Sequence, residues 1–197
     1  MQFSSVESEF AKRRDTSSDI NMHMETLRNL ASECEHITEF GTRYGNSTIA
    51  FLSGRPKHLV CYDIAPFPMG LESLAMGAPE RPGTSLSLRT ADTSRLASID
   101  RTDLLFIDTL HTASQLRAEL RLSCHVNKFL VLHDTETFRW VGEQSYTKLD
   151  VDPQKPTGLG AALLEFLLQG EFYCQRHYSY NNGLTILRRL TNGTGTA

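Results

Sequence analysis

The chain of 197 residues has few cysteines and little net charge. Cys34, Cys61, Cys124 and Cys174 are far apart and form no Cys-x-x-Cys pair, which argues against a zinc knuckle and a disulfide framework. The 20 basic and 23 acidic residues leave a formal net charge of −3, so no basic surface for nucleic acid is expected. We therefore predict a cytoplasmic protein that does not bind nucleic acid.

The sequence also lacks a long apolar run. No stretch approaches the roughly 18 apolar residues that a membrane span needs, and the first twenty residues are too polar for a secretory signal. Apolar residues still make up 40% of the chain, which is enough for one folded domain. We predict no membrane contact, a polar segment over residues 1–18, one domain over 19–190 and a flexible tail over 191–197.

Short apolar runs alternate with segments of helical periodicity. Strands are predicted over 36–40, 58–63, 84–88, 103–108 and 128–134, and a hairpin over 172–178 and 184–188. Helices are predicted over 20–34, from 47, near 71–76, over 112–122 and over 159–167. This alternation is typical of an α/β, Rossmann-like fold, and we predict a mostly parallel seven-stranded sheet with helices on both faces and a C-terminal antiparallel hairpin.

Polar residues follow the predicted strands, at the edge where such sheets bind their ligands. They are Glu39 with Gly41 and Gly45, Asp63, Asp92, Asp108 with His111, and His133 with Asp134. Negative charges gathered at one edge repel one another unless a cation neutralises them. The pattern therefore predicts a positively charged ligand.

The turn from Glu39 to Ser47 has two glycines at which a ligand can approach the backbone. It lacks the glycine spacing of a dinucleotide site and the lysine of a phosphate-binding loop, which disfavours nicotinamide cofactors and ATP. The turn resembles the first motif of class I S-adenosylmethionine-dependent methyltransferases. The resemblance implies S-adenosylmethionine as cofactor, with its ribose on Asp63 and its adenine near Asp92. The cofactor-binding residues predicted are Glu39, Gly41, Thr42, Arg43, Gly45, Ser47, Asp63 and Asp92.

Two of these carboxylates have a structural alternative. Glu39 could stabilise the N-terminus of the following helix through its charge. Asp92, in the stretch Thr90-Ala91-Asp92-Thr93, is equally typical of a helix N-cap.

The segments 107–112 and 131–135 resemble the two metal-site motifs of small-molecule O-methyltransferases related to macrolide-sugar methyltransferases and to the group named for cephalosporin hydroxylase. The segment 178–187 is also similar, so the resemblance extends from about residue 19 to 188. It implies methyl transfer to a hydroxyl of a sugar or sugar-bearing small molecule. It also implies that His111 is the general base.

Neighbouring parallel strands lie about 4.8 Å apart, so Asp108 and Asp134 could share one divalent ion, although they could instead pair with an arginine across this edge. Oxygen ligands favour Mg²⁺ or Mn²⁺. His133 is a candidate third ligand, although it could instead orient Asp134. It stands where the related motif commonly has an acidic residue. His111 could alternatively have a structural or capping role.

Two other function classes fit the same pattern less well. One is a non-catalytic cofactor-binding module of a larger glycan-modifying protein, and the other is a nicotinamide or nucleotide-sugar enzyme. The loops over 66–82 and 135–157 are expected to form the acceptor pocket. Phe138, Trp140 and Tyr146 could form an aromatic wall of this pocket, or they could only anchor the loop to the domain. The partners expected are a small-molecule or glycan acceptor and a second copy of the chain.

Overall fold

The computed structural model describes residues 5–76, 83–143 and 157–190. Its seven strands are β1 (His36–Phe40), β2 (His58–Asp63), β3 (Ser85–Thr90), β4 (Thr102–Ile107), β5 (Val126–His133), β6 (Phe172–Tyr178) and β7 (Leu184–Arg189). They form one sheet in the order β3-β2-β1-β4-β5-β7-β6. Strands β1 to β5 are parallel, and β7 runs antiparallel to both β5 and β6. The predicted fold class is confirmed.

The helices are α1 (Val6–Asp15), α2 (Met24–Ser32), α3 (Asn46–Gly54), α4 (Leu71–Ala75), α5 (Ala113–Leu120) and α6 (Leu159–Leu167). Three short 3₁₀ turns occur at Asn21–His23, Thr93–Arg95 and Arg121–His125, so the helix predicted over 20–34 is in fact a 3₁₀ turn followed by α2. Among the described residues, no helix combines the length and the apolar character that a bilayer span requires.

The sheet is covered on both faces, as the apolar run of β4 predicts. Leu104 and Phe106 pack with residues of α1, α2 and α3, whereas Leu105 and Ile107 pack with residues of α5 and α6. Successive side chains of a strand point to opposite faces, so each of these four positions is buried. The core therefore consists of two layers that hold the carboxyl ends of the strands in fixed positions.

The N-terminal segment contains a helix that the sequence analysis did not predict. Residues 6–15 form α1, which packs on α3 through Phe10, whose side chain is 2% exposed. Arg13 donates hydrogen bonds to the carbonyl oxygen of Tyr44 and to Asn46 Oδ1. The helix was missed because Phe10 is its one large apolar side chain, which leaves no periodic stripe.

Candidate functional site

A cavity of about 750 Å³ opens at the carboxyl edge of the sheet. Nine of the predicted site residues line it: Gly41, Thr42, Arg43, Ser47, Asp63, Asp92, Asp108, His111 and Asp134. Glu39, Gly45 and His133 lie behind this wall. The topology therefore gathers the sequence-predicted residues around one space, as expected for a sheet of this type.

The glycine turn passes close to its neighbours. Gly41 and Gly45 have φ angles of +85° and +76°, which favour glycine. A Cβ atom at Gly41 would collide with the carbonyl oxygen of Asp108, and one at Gly45 would lie 3.2 Å from the Leu71 side chain. Gly41 therefore lets the ends of β1 and β4 approach each other, and the backbone of the turn faces the cavity.

Asp63 holds the glycine turn against the end of β2. Its Oδ2 accepts hydrogen bonds of 2.8 Å from the backbone N–H groups of both Thr42 and Arg43, and its Oδ1 accepts one of 2.8 Å from Ala65. A carboxylate has about four acceptor positions, so capacity remains for a ligand hydroxyl. The same side chain can therefore shape the turn and face the cavity.

Glu39 is fully buried beneath the turn. It accepts hydrogen bonds from Ser47 Oγ at 2.5 Å and Thr48 Oγ1 at 2.7 Å, both in the first turn of α3. Burial raises the pKa of its carboxyl to about 7. Any effect of Glu39 on a ligand would therefore act through the position of the turn.

Asp92 makes the hydrogen bonds of a helix cap. Its Oδ1 accepts from the backbone N–H of Ser94 at 3.0 Å and from Ser94 Oγ at 2.6 Å, and its Oδ2 pairs with Arg95 at 3.0 Å. The capping alternative is therefore realised, and the side chain also lines the cavity.

Three candidate metal ligands converge where β4 and β5 end. One ligand atom from each of Asp108, His133 and Asp134 lies within 4.8 Å of the other two. His133 Nδ1 is 3.4 Å from Asp108 Oδ2 and 3.3 Å from Asp134 Oδ2. On its other edge, His133 Nε2 meets the carbonyl oxygen of Asp19 at 3.1 Å. This contact requires a proton on Nε2. Burial opposes a charged ring, but Asp108 and Asp134 outweigh it and raise the pKa of His133 to about 10, so Nδ1 is also protonated when no cation neutralises them. With a cation there, the lone pair of Nδ1 would face it.

Two atoms of this group lack hydrogen-bond partners among the described residues. They are His133 Nδ1 and Asp134 Oδ1, and both are buried. Asp134 also has a φ angle of +58°, which is unusual for a residue other than glycine. Buried polar atoms are nearly always paired, so these two mark a place where an external partner fits.

His111 lies between this group and a fourth carboxylate. Its Nε2 is 2.8 Å from Asp134 Oδ2 and 3.3 Å from Asp108 Oδ1, and its Nδ1 is 2.8 Å from Glu143 Oε2. Burial opposes the charged imidazolium, but the hydrogen bonds that the ring donates to Asp108 and Asp134 outweigh it and raise the pKa of His111 to about 10. Without a cation on these carboxylates, the ring is therefore protonated at neutral pH.

The aromatic wall predicted after β5 is different in the structure. Phe138 stacks on the His111 ring at a centroid distance of 4.5 Å, and Trp140 is 79% exposed. Tyr146 lies outside the described residues. Phe138 therefore supports the candidate base directly.

Sequence reasoning missed several polar residues of the site. Glu143 and Asp19 both line the cavity, and no motif marks either of them. Glu119 is fully buried on α5, where it accepts hydrogen bonds from Thr109 Oγ1 and Gln115 Nε2. Glu119 does not line the cavity, and a signal for its burial was present, because it lies three residues after Leu116 and next to Leu120, on the face of α5 that these apolar residues share.

No protein-family model and no curated protein matches the chain. Solved structures do match. A protein of Staphylococcus aureus assigned as a caffeoyl-CoA O-methyltransferase is 15% identical, with a TM-score of 0.61 over 96% of this chain and 94% of that one. The N-methyltransferase NodS of Bradyrhizobium japonicum, in complex with S-adenosyl-L-homocysteine, is 14% identical, with a TM-score of 0.58 over 95% and 100%.

Magnesium protoporphyrin IX methyltransferase of Synechocystis, with bound S-adenosylmethionine, is 13% identical, with a TM-score of 0.54 over 92% of this chain and 90% of that one. These similarities cover nearly the whole chain at low identity. The chain therefore has the fold of the S-adenosylmethionine-dependent methyltransferases.

Proposed function

We propose that the protein is an S-adenosylmethionine-dependent O-methyltransferase that uses a divalent cation and takes a hydroxyl of a sugar or sugar-bearing small molecule as acceptor. The observation that carries the proposal is the arrangement of Asp108, His111 and Asp134 on one wall of a cavity that also contains the glycine turn. This arrangement supports the proposal, because the three side chains and the glycine turn border the same space.

The donor would lie against the glycine turn. The backbone from Gly41 to Arg43 and the carboxylate of Asp63 face the cavity and would hold it, and Asp92 would lie near its adenine. Bound there, S-adenosylmethionine supplies a methyl group on a positively charged sulfur. The acidic lining favours such a cation by its charge.

The residues where β4 and β5 end fit a hard divalent cation. Asp108 and Asp134 offer carboxylate oxygens, His133 offers Nδ1, and two of these atoms lack other partners among the described residues. The two carboxylates suit Mg²⁺ or Mn²⁺, whereas the imidazole of His133 is a ligand more typical of transition metals such as Zn²⁺ and Fe²⁺. A cation bound there would lower the pKa of an acceptor hydroxyl.

His111 would remove the proton from the acceptor. Its Nε2 faces Asp108 and Asp134, so a hydroxyl held beside these carboxylates is within its reach. A base must be neutral at the start, and positive charge on the same carboxylates favours the neutral imidazole. As Nε2 takes the proton, the acceptor oxygen bonds to the methyl carbon and the carbon–sulfur bond breaks. The products are the methyl ether, S-adenosylhomocysteine and protonated His111.

The sugar preference depends on the resemblance of residues 107–112 and 131–135 to the sugar methyltransferases. The loop over 64–70 carries exposed Ile64, which lines the cavity and suits an acceptor with an apolar portion. Mass spectrometry of a panel of glycosides, incubated with S-adenosylmethionine and Mg²⁺, would identify the acceptor.

His111→Ala provides the decisive test. We expect turnover to fall by about 10²- to 10⁴-fold, the usual contribution of general acid–base catalysis. Calorimetry should show unchanged affinity for S-adenosylhomocysteine. Wild-type turnover in this variant would overturn the base assignment. Binding of NAD or a nucleotide sugar in place of S-adenosylhomocysteine would overturn the proposed function itself.

A further inference from the structure

Glu143 contacts the candidate base at both its side chain and its backbone. Its Oε2 is 2.8 Å from His111 Nδ1 and 3.4 Å from the His111 backbone nitrogen, which donates to it. The backbone N–H of Glu143 donates in return to the carbonyl oxygen of His111 at 2.9 Å. The two residues are 32 positions apart in the sequence, so this contact depends on the docking of the loop after β5.

The loop is held close to His111 by a short antiparallel contact. Val141 forms a bridge with Thr157, and the carbonyl oxygen of Thr157 accepts a hydrogen bond from Ala113. A Cβ atom at Gly142 would lie 3.1 Å from the carbonyl oxygens of both His111 and Thr157, a tight approach that glycine avoids. The loop thus brings Glu143 to a defined position.

The imidazole of His111 is fixed on two edges and one face. Nε2 faces Asp134 and Asp108, Nδ1 faces Glu143, and the Phe138 ring stacks on the face with an interplanar angle of 2°. Carboxylate oxygens lie 2.8 Å from both Nε2 and Nδ1, so without a cation each nitrogen carries a proton. When positive charge neutralises Asp108 and Asp134, Glu143 is the acceptor that keeps the proton on Nδ1, which leaves the lone pair of the neutral ring on Nε2. A carboxylate beside the far nitrogen of a catalytic histidine has this effect in Ser-His-Asp hydrolases.

We propose that Glu143 is a positioning residue for His111. It holds the proton on Nδ1, directs the lone pair of Nε2 toward the acceptor hydroxyl, and stabilises the positive charge that forms when Nε2 takes the proton. This inference rests on the proposed function, because a base is needed only if the enzyme deprotonates its acceptor. Glu143 acts through His111 and not on the reacting atoms.

Kinetics of Glu143→Ala and Glu143→Gln test the assignment. We expect Glu143→Ala to lower kcat by about 10- to 100-fold, the range found when a hydrogen-bond partner of a metal-ligating histidine is replaced. The KM for S-adenosylmethionine should not change. Glu143→Gln should recover part of the loss, because its amide oxygen still accepts from Nδ1–H. Glu136→Gln is the matched control, since this carboxylate of the same loop contacts His177 and Arg139, and its kcat should not change.

A second measurement does not need turnover. The stacked Phe138 ring shifts the NMR signals of the His111 ring protons, which can be assigned with His111→Ala. We expect these signals to move in Glu143→Ala and to return toward wild type in Glu143→Gln. Unchanged kcat and unchanged His111 signals in Glu143→Ala would overturn the positioning role and leave the proposed function standing. A wild-type protein that methylates no acceptor, with signals that still respond, would overturn the proposed function and the catalytic role of the contact with it.

Discussion

Two pairs of strands carry carboxylates at the cavity or just beneath it, and the pairs differ in what surrounds these groups. Where β1 and β2 end, Glu39 accepts from two hydroxyls of α3 and Asp63 accepts from three backbone amides. Where β4 and β5 end, Asp108 and Asp134 meet histidines, and Asp134 Oδ1 has no partner among the described residues. Glu39 is satisfied by the chain itself and Asp63 nearly so, whereas Asp134 keeps a buried oxygen without a hydrogen-bond partner among the described residues.

The difference separates two uses of a buried carboxylate. One that is saturated by internal donors fixes backbone and shapes a site, and its removal leaves those donors unpaired. One with a free acceptor beside a second carboxylate carries unfavourable repulsion that a bound cation relieves. Glu39 is therefore expected to act mainly on structure, Asp63 on both the turn and the donor, and the carboxylates where β4 and β5 end mainly on binding.

The largest effect is expected from Asp134→Asn. It removes one charge and one oxygen donor from the candidate metal group, so affinity for Mn²⁺, measured by calorimetry, should fall by more than about 100-fold, since even the indirect partners of metal ligands contribute about 10- to 100-fold. Methyl transfer should fall with it, and EDTA should abolish the wild-type activity.

Asp100→Asn is the matched control for this change, because Asp100 is an exposed carboxylate that pairs with Arg89 away from the cavity. Its Mn²⁺ affinity should equal that of the wild type. If Asp134→Asn bound Mn²⁺ as tightly as the wild type, or if activity survived EDTA, the carboxylates where β4 and β5 end would not differ from those where β1 and β2 end in binding a cation.

This contrast could be predicted only in part from the sequence. The apolar runs predicted the parallel strands and brought Asp63, Asp108 and Asp134 to one edge, because the carboxyl ends of parallel strands meet there. What satisfies each carboxylate depends on side chains from other elements. The hydroxyl of Thr48 beneath Glu39 carries no motif of its own.

Contacts distant in sequence account for the remaining gaps. Glu143 reaches His111 through a loop whose docking depends on the bridge from Val141 to Thr157, a feature that local periodicity does not encode. Helix α1 was missed for a related reason, since Phe10 becomes informative only when its contact with the core is known.

An intermediate effect is expected from Glu39→Gln, on the pH dependence of the free energy of unfolding. Burial raises the pKa of Glu39 to about 7, so the folded state binds this proton more tightly than the unfolded state, whose pKa is near 4.5. The associated stability is fully present below about pH 4.5 and is lost as the pH rises through about 7. Urea unfolding should show a decline of at most about 3 kcal/mol from this group, and a shallower decline in Glu39→Gln.

Part of the decline in unfolding free energy with rising pH should remain in Glu39→Gln, because burial also raises the pKa of Glu119 to about 7. Glu35→Gln, at an exposed carboxylate just before β1, should keep the wild-type slope. Affinity for S-adenosylhomocysteine should change little, since Glu39 does not line the cavity. A wild-type slope in Glu39→Gln would show that this carboxylate is not a source of the pH dependence.

The smallest effect is expected from Asp92→Asn. This variant tests whether Asp92 shapes the site or binds the ligand through its charge. Asn is as good an N-cap as Asp, so the free energy of unfolding should change by less than about 0.5 kcal/mol, whereas Asp92→Ala should lose about 1 kcal/mol. If Asp92 shapes the site as Asp63 does, Asn should also keep the affinity for S-adenosylhomocysteine, because the cap survives. A tenfold loss of affinity at unchanged stability would instead show that the charge of Asp92 acts on the ligand, and would place it with Asp108 and Asp134.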